Sequence, residues 1–219
     1  MKRFGLPGCA LLLALAGMGG GEALARDAQN QFVLRGFGAQ SCEAGLASIR
    51  QDQARGGDLA SWLTGYLTAL NRHSRETYDM VPFTDLGPLL QIVVGLCEKN
   101  PQSNIEAIVD DVIRRLSVAK VTAVSPMVQA EVGGKTVALR AATLAAMQNK
   151  LIELKLFKGP ADGQFGEKTQ AALKKYQKAQ KIEQSGLPDS ATVLRLLIEP
   201  PSAPAEEEKP ARKEKKKKS

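Results

Sequence analysis

Gln148–Leu197 reads QNKLIELKLFKGPADGQFGEKTQAALKKYQKAQKIEQSGLPDSATVLRLL. Upstream of it, helical character begins at Thr143 or Leu144, with Leu144, Met147, Leu151 and Leu154 on one face. The chain then turns through Gly159-Pro160-Ala161-Asp162-Gly163-Gln164-Phe165-Gly166. Asp162-Gly163 signals a tight turn, since glycine takes positive φ without steric cost. Phe165, an apolar ring in a polar turn, is expected to plug the core. Gly166 is placed to cap a second helix, with Glu167 at its positive end. Thr169, Ala172, Leu173 and Tyr176 make that helix's inner face. Ser185-Gly186-Leu187-Pro188 then leads to Asp189 as cap of a last helix, with Thr192 and Leu196 turned inward. The stretch predicts three helices.

This order of residues resembles the small three-helix peptidoglycan-binding domain appended to many cell-wall proteins. The matching positions, Leu151, Leu154, Gly163, Phe165, Gly166, Thr169, Leu173, Gly186 and Thr192, are mostly scaffold. The resemblance implies a wall polymer as ligand, met in a shallow groove with polar groups above an apolar floor. By residue type the candidates for contact are Phe157, Asp162, Gln164, Tyr176 and Gln177, each equally readable as core plug, turn former or solvated face. Lys155 and Lys181 depart from the family pattern, standing where such domains commonly have glycine at helix ends. A left-handed residue there costs a side chain roughly 1 to 2 kcal/mol, so either the helices end differently or the strain is tolerated. The hypothesis attached to both lysines is a basic surface for stem-peptide carboxylates.

A separate helical region is expected over residues 31–117. Leu59, Trp62, Leu63, Tyr66, Leu67 and Leu70 form one stripe behind Asp58 as N-cap; Leu86, Leu89, Leu90, Val93 and Cys97 form another. Ile105, Ile108, Val109, Val112, Ile113 and Leu116 form a third, preceded by Ser103 and Glu106 in capping-box spacing. A weaker helix surrounds Cys42 to Gln53. Four short helices make a thin core, and a bridge between Cys42 and Cys97 would tie the first to the third. The alternative is two buried free thiols. Around Cys42, Trp62-Leu63-Thr64-Gly65-Tyr66-Leu67 to Asn71, and Cys97-Glu98-Lys99-Asn100-Pro101, the region loosely resembles small helical periplasmic proteins of the HdeA acid-stress chaperone type. That resemblance implies an exported location and protein binding.

Residues 118–138 lose periodicity, with Val124-Ser125-Pro126 and Gly133-Gly134 as punctuation, and are expected to be a linker with strand character at Val118 to Val124. Gly134-Lys135-Thr136 is not a phosphate loop, because the required first glycine is Gln129. Residues 1–25 read as a signal peptide: Lys2 and Arg3, an apolar run from Ala10 to Ala16, then Ala23-Leu24-Ala25 for cleavage. Cys9 would leave with it, and the apolar run is too short to span a bilayer. Export places the two remaining cysteines in an oxidising compartment, where an even count favours a bridge. Much of the formal charge of +7 lies in residues 199–219, where Glu206–Glu208 precede Lys209, Arg212, Lys213 and Lys215–Lys218 among prolines. With little apolar to bury, this tail is expected to be disordered. The tail reads first as a solvated solubility segment; the alternative is attraction to anionic polymer or lipid, nucleic acid being disfavoured by export.

Catalysis finds little support in residue types. A zinc amidase needs several histidines and a transpeptidase needs a reactive cysteine with a base, whereas His73 stands alone and both exported cysteines fit a bridge. The carboxylate pairs Glu76 with Asp79 and Asp110 with Asp111 are readable as solvated helix charge. The sequence reading is thus an all-α exported protein: a disulfide-linked four-helix domain, a linker, and a three-helix wall-binding-like domain at 139–198. It is expected to be non-enzymatic, without metal or cofactor, tethering its N-terminal domain to peptidoglycan. The alternative from another class is an accessory of a wall hydrolase or transpeptidase whose C-terminal domain binds protein, not polymer.

Overall fold

The computed structural model describes Asp27, Gln29 and residues 31–199. The expected signal segment and the charged tail beyond Glu199 lie outside the described residues. The chain divides into residues 1–33 and residues 34–219. In the first unit, the Asp27 carboxylate accepts from the backbone N–H groups of Gln29 and Gln31 in a local turn.

The second unit opens with a 3₁₀ turn, Gly36–Ala39, then α1 (Cys42–Gln51), α2 (Arg55–His73), α3 (Gly87–Lys99) and α4 (Ile105–Leu116). The Ser41 hydroxyl caps α1 by accepting from Ala44 N–H. The apolar stripes turn inward: Leu59, Leu63 and Leu67 from α2; Leu89, Val93 and Cys97 from α3; Ile105, Val109, Val112, Ile113 and Leu116 from α4. Cys42 and Cys97 are joined, tying α1 to α3 across a sequence separation of 55. Trp62 stacks on Tyr66 at 5.2 Å and donates from Nε1 to the Arg35 carbonyl.

Two expected caps are not formed. The helix α2 starts at Arg55, one turn before the proposed cap Asp58, which lies inside the first turn and pairs with Arg55 at 3.1 Å. Asn104, not Ser103, is the N-cap of α4. Glu106 is turned away from the helix start because the Tyr66 hydroxyl donates to it at 3.1 Å. The Ser103 N–H that a capping box would use donates instead to the Asn100 carbonyl at 3.1 Å, so the half-buried phenol is the partner left to Glu106. Burial first, and the Glu106 charge second, push the Tyr66 phenol well above its ordinary range.

Residues 118–138 carry more structure than the expected linker. The expected strand character at Val118 to Val124 is displaced: Ser117–Ala119 is a 3₁₀ turn, and Val121 makes only an isolated bridge to Asp79. The strands follow as an antiparallel hairpin, β1 (Met127–Val132) and β2 (Lys135–Arg140), with Val132 opposite Lys135. Gly133 and Gly134 both have positive φ, 58° and 76°, as a two-residue hairpin turn demands. Ala130 and Leu139 are its buried residues.

From the hairpin the chain runs directly into α5 (Ala141–Glu153), α6 (Glu167–Ala179) and α7 (Ser190–Val193), the last continuing as a π-helical turn over Leu194–Ile198. The described residues are therefore mostly helical, seven α-helices and one two-stranded sheet. A single apolar core passes from Phe37 through Val81, Phe83 and Leu139 to Leu144, Leu173 and Leu196. Polar ties cross between the helical region and the hairpin. Arg140 pairs with Asp79 at 3.2 Å and lies 4.9 Å over the Tyr78 ring, and the Thr84 hydroxyl donates to the Ala138 carbonyl at 2.9 Å. Asn71 in turn donates to Asp79 and accepts from Met80 N–H.

Candidate functional site

Two buried glutamines organise the C-terminal helices. Gln148 sits on the apolar face of α5 beside Leu144, Met147 and Leu151. Its Nε2 donates to Asp162 Oδ1 at 3.2 Å, the Gln164 carbonyl at 2.9 Å and Thr169 Oγ1 at 3.1 Å, while its Oε1 accepts from Gly163 N–H at 2.8 Å. These bonds fasten the irregular turn between α5 and α6 to both helices. Gly163 has φ of 70°, and a Cβ there would meet the Ala141 carbonyl oxygen at 2.5 Å, so both conformation and space demand glycine.

The Asp162 carboxylate also accepts from Gln164 N–H at 2.9 Å. That backbone bond, helped by the Gln148 amide, holds its carboxyl below the ordinary value, so it is charged at neutral pH. Beside it lies a groove of about 440 Å³ lined by Phe157, Gly159, Pro160, Asp162, Gln164, Phe165, Gly166, Glu167 and Lys168, with the buried Gln148 and Thr169. Phenyl and prolyl surface, a fixed carboxylate, an amide and an ammonium are the combination that hydrogen-bonds amides or hydroxyls over an apolar floor.

Of the residues expected to contact a ligand, Phe157, Asp162 and Gln164 are brought together here. Phe157 is largely buried and offers only an edge. Tyr176 and Gln177 point elsewhere. Tyr176 is buried, which pushes its phenol up to about 12. Gln177 is fully buried, its amide donating to Ser185, the Leu187 carbonyl and Thr192, and accepting from Gly186 N–H. It is spent on the fold. Lys155 and Lys181 are exposed, with φ of 60° and 55°. Each is the left-handed residue of a closed helix end: Leu156 N–H reaches Leu151 and Lys155 N–H reaches Ile152, as Ile182 reaches Gln177 and Lys181 reaches Lys178. The strain is therefore tolerated; the helices do not end differently.

Most scaffold positions are buried or packed against the core: Leu151, Gly163, Thr169, Leu173, Gly186 and Thr192 are buried, and Phe165 is half-buried. Gly166 is the N-cap of α6 and Asp189 caps α7, accepting from Thr192 N–H. Leu154 departs from its expected face: as the C-cap of α5 it is 40% exposed. Sequence reading passed over Gln148 and Lys168. Gln148 carries a usable signal, a polar amide within an otherwise apolar helix stripe.

Elsewhere, the polar groups considered for catalysis are engaged or scattered. Asp79 is paired with Arg140, and Asp110 and Asp111 are paired with Arg114 and Arg115. His73 is exposed at the end of α2. Among the described residues no cluster of three or more metal-ligating side chains occurs, and no helix is long and apolar enough to cross a membrane.

Residues 140–196 match the family described as a putative peptidoglycan binding domain. The match starts at the last residue of β2 and ends in the π-helical turn, so it covers both glutamine hubs and the groove. No curated protein and no solved structure matches the chain.

Proposed function

We propose that this protein is an exported, non-enzymatic binder of peptidoglycan that holds its disulfide-linked helical region against the cell wall. The observation that carries this reading is the groove beside Asp162, which lies within the segment that resembles wall-binding domains and combines polar groups with aromatic surface. The exposed ammonium groups of Lys155 and Lys181 are of the right charge for the carboxylates of wall stem peptides. The Cys42–Cys97 bridge and the signal-like residues 1–25 support export. The role assigned to the helical region is protein interaction near the wall.

Co-sedimentation of the full chain with purified sacculi tests the reading, alongside a Gln164→Ala/Lys168→Ala variant altered only at exposed groove positions. Pelleting at moderate salt that the variant loses is the expected result. Pelleting that salt abolishes equally in both proteins would assign binding to the basic tail. No pelleting would overturn wall binding.

A further inference from the structure

The groove does not end at Asp162. A second cavity of about 280 Å³ begins on the other side of the same residue, walled by Thr122–Pro126 and floored by Ala141, Ala142 and Ala145 of α5. Asp162 borders both spaces. The wall Thr122–Pro126 precedes the segment that matches the peptidoglycan-binding family, whereas the floor lies within it.

That wall is held in place. The Ser125 hydroxyl, itself buried, accepts from Ala142 N–H at 2.8 Å, and the Pro126 carbonyl accepts from Ala141 N–H at 2.9 Å. Both bonds satisfy free donors at the start of α5, so the segment caps the helix while it shapes the cavity. The floor is the methyl groups of Ala141, Ala142 and Ala145; Thr122, Ser125 and Asp162 add polar groups, and Val124 is 81% exposed. Such a floor of methyl groups offers an apolar contact to a methyl-bearing unit.

We propose that the two cavities form one continuous site for a peptidoglycan stem peptide, in which the Ala142–Ala145 cavity receives an alanyl residue and Asp162 takes an adjacent amide or amino N–H. This rests on the wall-binding reading and adds which part of the polymer is bound. Charge favours the peptide over the glycan. A stem peptide presents both carboxylates and N–H donors, matching Lys168 for the former and Glu167 and Asp162 for the latter. Oδ1 of Asp162 accepts from Gln164 and Gln148, and the side chain is exposed, so the carboxylate is fixed in place while still open to a ligand donor.

The test uses the full chain with sacculi, with a soluble stem tetrapeptide and with peptide-free glycan, followed by calorimetry. Ala145→Gln fills the second cavity with a good helix former, and Ala142→Gln does so from the preceding turn; thermal unfolding checks that each variant folds. The expected result is tetrapeptide binding weakened on the order of tenfold or more in both variants, the size typical of blocking a small apolar subsite. Wild-type binding to sacculi that neither folded variant weakens would overturn the second subsite alone. Binding to peptide-free glycan with none to the tetrapeptide would overturn the stem-peptide assignment. No wild-type binding to any probe would overturn both this inference and the reading beneath it.

Discussion

Gln148 and Gln177 make the same set of bonds in successive turns. Each amide donates to a short oxygen-bearing side chain before a positive-φ glycine, to the carbonyl after that glycine and to a threonine hydroxyl, and each carbonyl oxygen accepts from the glycine N–H. Asp162, Gly163, Gln164 and Thr169 thus correspond to Ser185, Gly186, Leu187 and Thr192. Thr169 and Thr192 both stand at the third position of their helices, and both preceding helices end at a left-handed lysine. The C-terminal region is two copies of one helix-turn unit, of which only the first opens onto the groove.

Replacing either glutamine by leucine should therefore destabilise the fold, and only Gln148 also lines the groove. Each change strands a buried glycine N–H and removes the three bonds the amide donates, while Thr169 and Thr192 keep the Gln164 carbonyl and the Asp189 carboxylate as partners; an unsatisfied group costs about 1 to 3 kcal/mol. The expected loss is about 3 kcal/mol for Gln148→Leu or Gln177→Leu, read as a lower urea midpoint. Equal stability to wild type would mean water replaces the amide.

The three C-terminal helices were legible because their signals are local: Asp162-Gly163, Gly166 before Glu167, and Asp189 three residues before Thr192. The stripes of α2, α3 and α4 were legible from period alone. The hairpin was not, because Val128, Ala130 and Val132 alternate too weakly to stand out, and its burial comes from distant partners such as Phe83. Glu106 was misassigned for a similar reason: its competing partner, Tyr66, lies 40 residues away. In the groove, Asp162 and Gln164 announced themselves by residue type. Tyr176 and Gln177 did so misleadingly, because a polar side chain on a helix looks like a surface residue until a buried hydrogen-bond network is seen around it.

The disulfide should supply much of the stability of the helical region. Joining residues separated by 55 positions is worth roughly 4 kcal/mol in the chain-entropy description. A Cys42→Ser/Cys97→Ser variant is expected to lose about that amount in chemical unfolding. Matching unfolding curves for oxidised and reduced wild-type protein would contradict it.

Arg140 joins the hairpin to the helical region through Asp79, with both side chains largely covered, 21% and 15% exposed. Arg140→Met keeps the apolar stem but leaves the Asp79 charge with only Asn71 and its own loop, a penalty of about 2 kcal/mol for a partly buried pair. Hydrogen exchange should quicken at Ala138–Arg140 and at Asp79–Val81 together. Faster exchange on one side only would show that the pair does not couple them.

Asp162 predicts a pH dependence. Its folded carboxyl lies below the ordinary 3.8, so the charged form is favoured by the fold. The turn's stabilisation is fully present above that value and is lost as pH falls through the lower, folded one. Carbon-detected titration should place the Asp162 inflection below the ordinary aspartate value, and Gln148→Leu should move it upward. An unshifted inflection would remove the Gln164 and Gln148 bonds as its cause.

Lys155 and Lys181 allow stability and binding to be separated. Both occupy left-handed backbone, at φ of 60° and 55°, where a side chain is disfavoured by roughly 1 to 2 kcal/mol. Glycine would relieve that strain, offset in part by its greater freedom in the unfolded chain, leaving a net gain of about 1 kcal/mol per site. Lys155→Gly/Lys181→Gly should thus unfold at higher denaturant. If the lysines also attract stem-peptide carboxylates, the same protein should pellet less with sacculi, and the deficit should shrink as salt screens the wild-type advantage. A more stable variant with unchanged binding at every salt concentration would confine both lysines to helix termination.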